Sequence, residues 1–63
     1  MNKLVRFDEV PVGHAFVIGE CTYYKIKPCR WDGVEANCYY QNAWGEQRPA
    51  HMAPGNIVEL EVD

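Results

Sequence analysis

The chain reads as all-β, a small five-stranded barrel or roll that occupies residues 1–63 as one domain. Three observations predict this. At 63 residues there is room for a single core and nothing more. Turn-forming residues cut the chain throughout, at Pro11, Gly13, Gly19, Pro28, Gly33, Gly45, Pro49, Pro54 and Gly55. The pieces between them are short and rich in Val, Ile, Tyr, Phe and Thr, and none has a 3.6-residue apolar period.

In chain order, Leu4 to Phe7 reads as a strand or an irregular lead-in, and residues 8–13 as a turn-rich loop. His14 to Ile18 reads as a strand whose alternation leaves either face inward. Gly19-Glu20 is a turn, Thr22 to Lys27 a strand, Val34 to Ala43 a strand that frays at its polar end, Arg48 to Met52 a short strand and Ile57 to Val62 the last. In that last strand Val58, Leu60 and Val62 alternate with Glu59 and Glu61, which sets one face dry and the other wet.

Opposed residues in a hairpin share a face, so the middle hairpin can be read for register. Val34, Ala36, Cys38 and Tyr40 form one face of their strand, and Tyr24 and Ile26 are expected to join them at the core. A three-residue loop, Trp31-Asp32-Gly33, satisfies that parity, with Arg30 opposite Val34, Tyr24 opposite Tyr40, Ile26 opposite Cys38 and Lys25 opposite Tyr39. Gly33 would then hold the left-handed position.

Composition narrows the function. Hydrophobic residues make up 48% and charged residues 24%, a balance typical of a folded globular chain. No apolar run reaches the ~18 residues of a membrane span, and the first ten residues lack a leader-like apolar stretch, so a cytoplasmic protein is expected. Cys21, Cys29 and Cys38 are odd in number and fit reduced thiols. The net charge of −3 weighs against a general nucleic-acid binder, which needs cations to displace counterions from phosphate.

No metal centre or cofactor is expected. The cysteines form no tight C-x2-C knuckle, and the expected register turns Cys38 inward and Cys29 outward. Catalysis is not expected either. The chain has no serine, and His14 and His51 would meet a cysteine only through tertiary folding. Asp8, Glu9, Asp32, Glu35 and Glu46 show no pairing for acid–base work, and the single, spaced glycines are turns and not a phosphate loop. The acids are interleaved with bases, unlike the dense acidic face of a nucleic-acid mimic.

Aromatic residues, 13% of the chain, are the stronger signal. Tyr23 and Tyr39 fall on the expected outer face of the middle hairpin, Trp31 at its loop and Trp44 near the next turn, with Lys25, Lys27 and Arg30 on or beside that face. Tyr, Trp and Arg dominate protein–protein hot spots, and the same mixture can stack single-stranded bases. The plainer alternative is that another strand of the barrel folds over this face and buries it.

The residues Phe7-Asp8-Glu9-Val10-Pro11-Val12-Gly13, then Phe16, Tyr23-Tyr24-Lys25-Ile26, Asn42-Ala43 and the closing Val58-Glu59-Leu60 form a pattern. It resembles small SH3-like barrel proteins encoded by bacteriophages and prophages. Trp31 and Trp44 depart from that pattern. The resemblance implies an SH3-like fold and a phage-related origin, and brings no catalytic residue with it. The resulting expectation is a non-enzymatic phage or prophage accessory protein that binds a host or phage protein through its aromatic β surface. A single-stranded nucleic-acid module and a small-ligand-binding homo-oligomer are the alternatives.

Overall fold

The computed structural model describes residues 2–62. It confirms the all-β class: β1 (Asn2–Arg6), a single 3-10 turn (Phe7–Glu9), β2 (Ala15–Ile18), β3 (Cys21–Trp31), β4 (Val34–Gln41), β5 (Gln47–Ala50) and β6 (Ile57–Glu61). The strands form one antiparallel sheet in the order β1-β6-β2-β3-β4-β5. Two features differ from the five-stranded barrel expected. There are six strands, because the lead-in pairs with β6 as β1, and the sheet is open, with β1 and β5 as its edges. Pro49 sits in edge strand β5, the position where a missing N–H is tolerated and where it blunts further pairing.

The open sheet still curls around one core. Phe7, Val10, Phe16, Cys38 and Val58 are buried together, and Val5 from one edge strand and Ala50 from the other pack against them. The 3-10 turn lays Phe7 and Val10 over this concave face. Its position is tied to the loop after β5, since the Phe7 N–H donates to the Asn56 carbonyl (2.7 Å) and the Asp8 N–H to that of Pro54 (3.1 Å). The Glu9 carboxylate accepts from the Arg6 N–H at 3.0 Å, satisfying a donor at the start of the turn. In β6, Val58 is buried and Leu60 half-buried between exposed glutamates, as the alternation predicts, while Val62 lies beyond the strand. The undecided first hairpin turns Phe16 and Ile18 inward.

The middle hairpin departs from the expected register. Its loop has two residues, Asp32 and Gly33, both with positive φ (+51° and +76°), the mark of a type I′ turn. Trp31 therefore opposes Val34, Arg30 opposes Glu35, and Cys29 opposes Ala36. The pairing then shifts. Ile26, Lys27 and Pro28 face Asn37 alone, after which Lys25 opposes Cys38, Tyr24 opposes Tyr39, and Tyr23 opposes Tyr40. Before the bulge every side chain is thus one place from where a three-residue loop would set it. A one-residue slip exchanges the faces, so Tyr23 and Lys25, not Tyr24 and Ile26, join Cys38 and Tyr40 on the inner side. Pro28 has no N–H to give a ladder, which is why the bulge falls there.

Candidate functional site: the outer face of the central strands

The pairing register places Ala15, Tyr24, Tyr39 and Pro49 directly opposite one another in a row across β2, β3, β4 and β5. All four are half-buried. The Tyr24 and Tyr39 rings stack at 5.2 Å with 24° between their planes, and the Trp31 ring lies 5.8 Å from Tyr39, tilted by 50°. The next row holds Thr22, Val17 and, on β6, Glu59, and Gln41 opposes Gln47 across β4 and β5. Apart from Glu59, none of these positions carries an acid or a base. Across β2–β5 the sheet thus presents a neutral, aromatic stripe whose phenol and indole polar ends form no hydrogen bond within the described residues.

The residues expected from sequence are split by this geometry. Tyr39 and Trp31 come together as expected. Tyr23 does not belong with them: it points inward, stacked on Phe16 at 5.5 Å and edge-on to Tyr40 at 5.6 Å. Burial, reinforced by Cys21, Cys38 and Tyr40 nearby, raises its phenol above the ordinary value. Lys25 is also turned inward. Its ammonium donates to the Phe7 carbonyl at 3.0 Å and lies 4.6 Å from the Phe7 ring centre. Lys27 is exposed in the bulge, and exposed Arg30 reaches Glu35 only at 3.5 Å and the Gly33 carbonyl at 3.4 Å. Trp44 is 84% exposed at the tip of the β4–β5 loop and touches no other aromatic ring among the described residues.

Tyr24 and Pro49 are the members of the stripe that sequence reasoning missed. For Tyr24 the signal was the Asp32-Gly33 pair, whose two-residue turn sets Tyr24 on the face of Tyr39.

Cys38 is fully buried and its thiol is pushed up to about 11 by burial, so it stays protonated and packs as a small hydrophobe. Cys21 and Cys29 are exposed. Folding does bring Cys29 and His51 to one shallow cleft of about 190 Å³, beside Asn37. Asn37 is committed elsewhere: its amide donates to the Met52 carbonyl and accepts from the Met52 N–H, both at 2.9 Å. It therefore extends the β4–β5 pairing instead of orienting an imidazole, and no hydrogen bond joins Cys29 to His51 among the described residues. No group of three or more His, Cys, Asp or Glu side chains converges there or elsewhere among the described residues. No helix among them is long and apolar enough to cross a membrane.

Comparison with models of known protein families, with curated proteins and with solved structures finds no match for this chain.

Proposed function

We propose that the protein is a non-enzymatic interaction module, a phage or prophage accessory protein that binds a host or phage protein in the bacterial cytoplasm through the outer face of β2–β5. One observation carries this reading: Tyr24 and Tyr39 stack on a row free of charge, and the Trp31 ring, from the far end of the hairpin, reaches Tyr39 and extends the aromatic surface. Protein interface cores are depleted in charged residues and enriched in Tyr and Trp. Lys27 and Arg30 flank the stripe and form its rim. The inward turn of Lys25 supports a protein partner over a nucleic acid, because it takes a cation away from the face that would meet phosphate.

The SH3-like kinship belongs to the same reading. Set β1 aside and the order is β6-β2-β3-β4-β5, a meander whose last strand returns beside its first, curled about one core.

The test is affinity capture from a bacterial lysate, with half the sample treated with nuclease. The baits are the native chain, Trp31→Ala/Tyr39→Ala, and Leu4→Ala as an exposed control away from the stripe. A protein retained after nuclease, lost with the double variant and kept by Leu4→Ala is the expected result. Material that disappears with nuclease, or that binds the double variant equally well, would overturn the reading.

A further inference from the structure

We infer that the protein pairs with a second copy of itself by exchanging Trp44, the indole of each copy seating in a cleft between the β2–β3 turn and the end of β4 of the other.

The projecting element is built to hold its shape. Asn42 accepts through its side-chain oxygen from the N–H groups of Trp44 and Glu46, both at 2.9 Å, and its amide donates to the Glu46 carboxylate at 3.0 Å. Backbone bonds from Asn42 to Glu46 and from Gly45 to Asn42 close the same loop. So pinned, the loop holds out an indole that is 84% exposed and has no hydrogen bond or ring contact among the described residues. A large aromatic held rigidly in water contributes nothing to the core and has the character of an interface anchor.

The receiving element lies beside it. A cleft of about 280 Å³ is lined by Glu20, Cys21, Thr22, Tyr24, Tyr40 and Gln41. That is below the roughly 300–1,000 Å³ of pockets that hold drug-sized ligands, and it suits a single aromatic side chain. Tyr24 lends it an aromatic wall from the outer face, while the Glu20 carboxylate and the Gln41 amide oxygen, unengaged among the described residues, are acceptors for an indole N–H.

Placement makes the pairing reciprocal. Tyr23 opposes Tyr40, so the start of β3 and the end of β4 are at one end of the sheet, and the Gly19-Glu20 turn and the Trp44 loop emerge there together. Anchor and cleft on the same end can both be satisfied by one two-fold rotation, which closes the assembly at two copies. Each tryptophan covers about 150–250 Å². Two anchors and the two shallow clefts that receive them therefore bury roughly 450–650 Å² in total, less than a standard interface of about 1,200–2,000 Å², so the dimer is weak. The cleft shares Tyr24 with the outer face; Tyr39→Ala tests the outer-face reading and leaves Trp44 and the residues lining the cleft in place.

The experiment is sedimentation velocity on the full chain from about 10 µM to about 1 mM, the range in which an interface this small is populated. A concentration-dependent shift from monomer to dimer is expected. Trp44→Ala, whose altered side chain lies outside the core, should stay monomeric throughout while keeping its circular dichroism. Cys21 alkylated in a Cys29→Ser background, which plugs the cleft, should also stay monomeric. In the unaltered chain, Cys21 alkylation should slow by about threefold or more across the same range, as the populated dimer covers it, while Cys29 keeps its rate. A monomer at the highest concentration, a dimer that survives Trp44→Ala, or species that grow beyond two copies would overturn it.

Discussion

Tyr23 and Tyr24 are neighbours in sequence, as are Tyr39 and Tyr40, yet each pair is divided between two aromatic clusters on opposite faces of the sheet. On the inner face, Phe7, Phe16, Tyr23 and Tyr40 form a chain of rings 5.3 to 5.6 Å apart. On the outer face Tyr24 and Tyr39 sit 5.2 Å apart, and Trp31 lies 5.8 Å from Tyr39. The ring spacings are nearly the same. What differs is the surroundings: Phe16 lies among Phe7, Val10, Cys38 and Val58 with no exposed surface, whereas the outer rings meet water on one side. Ring contact is therefore a poor guide to energetic weight. Burial around the rings assigns stability to one cluster and leaves the other available for binding.

The comparison breaks most visibly at Phe16. Phe16→Ala empties the centre of the inner cluster and should cost about 3–5 kcal/mol, as large-to-small core changes do. A single core in a domain this small supplies roughly that much in total. The variant should therefore be largely unfolded at room temperature, read as loss of a cooperative thermal transition. Retention of a sharp transition near the native midpoint would place the core elsewhere.

Alkaline pH probes the same face more gently. The buried Cys38 thiol is held up to about 11 against an ordinary 9.0. Below pH 9 both folded and unfolded chains keep the proton and stability is unaffected. Between pH 9 and about 11 the unfolded thiol ionises first, so stability falls with rising pH, and this contribution levels off above the folded value. That difference in proton affinity corresponds to about 2–3 kcal/mol. The raised phenol of Tyr23 acts in the same direction at higher pH. Melting temperatures from pH 8 to 11 should fall for the native chain, and Cys38→Ala, less stable at pH 8, should lose part of that slope.

How much of this division was legible in the sequence depends on one turn. Strand positions, the alternation in β6 and the core face of β4, with Ala36 and Cys38 buried, could all be read from apolar spacing and breakers. The face of β3 follows from the length of that turn. Asp32-Gly33 is the residue pair that a type I′ turn prefers, and a two-residue turn opposes Tyr24 and Ile26 to outward residues of β4, against the expectation that they join the core. The irregularity at residues 26–28 sets three residues against one, so it moves the pairing by two places and leaves the faces as the turn sets them. A one-residue difference sent Tyr23 and Lys25 in and Tyr24 out, so the candidate site kept Tyr39 and Trp31 but gained and lost neighbours. Gly33→Ala tests the turn. A Cβ there would meet no atom within 4 Å, so only the positive φ resists it. Destabilisation of about 1–2 kcal/mol in urea unfolding is expected; no change would mean the loop does not hold this geometry.

The smallest effect sharpens the comparison most. If the outer stack is a binding surface and not a second core, Tyr24 and Tyr39 should be only weakly coupled in stability. A double-mutant cycle of Tyr24→Ala and Tyr39→Ala, read by urea unfolding, should give an interaction energy of about 0.5–1 kcal/mol, the range for an aromatic cross-strand pair. In the corresponding cycle on Tyr23 and Tyr40, Tyr23 packs against the core and stacks on Phe16, while Tyr40 meets the Tyr23 ring edge-on. Tyr23→Ala should therefore cost more than Tyr24→Ala or Tyr39→Ala, even where the two coupling energies agree. Equal single-mutant costs on the two faces would mean that the outer rings are as deeply committed to folding as the inner ones, and the surface would then have no aromatic stripe to spare for a partner.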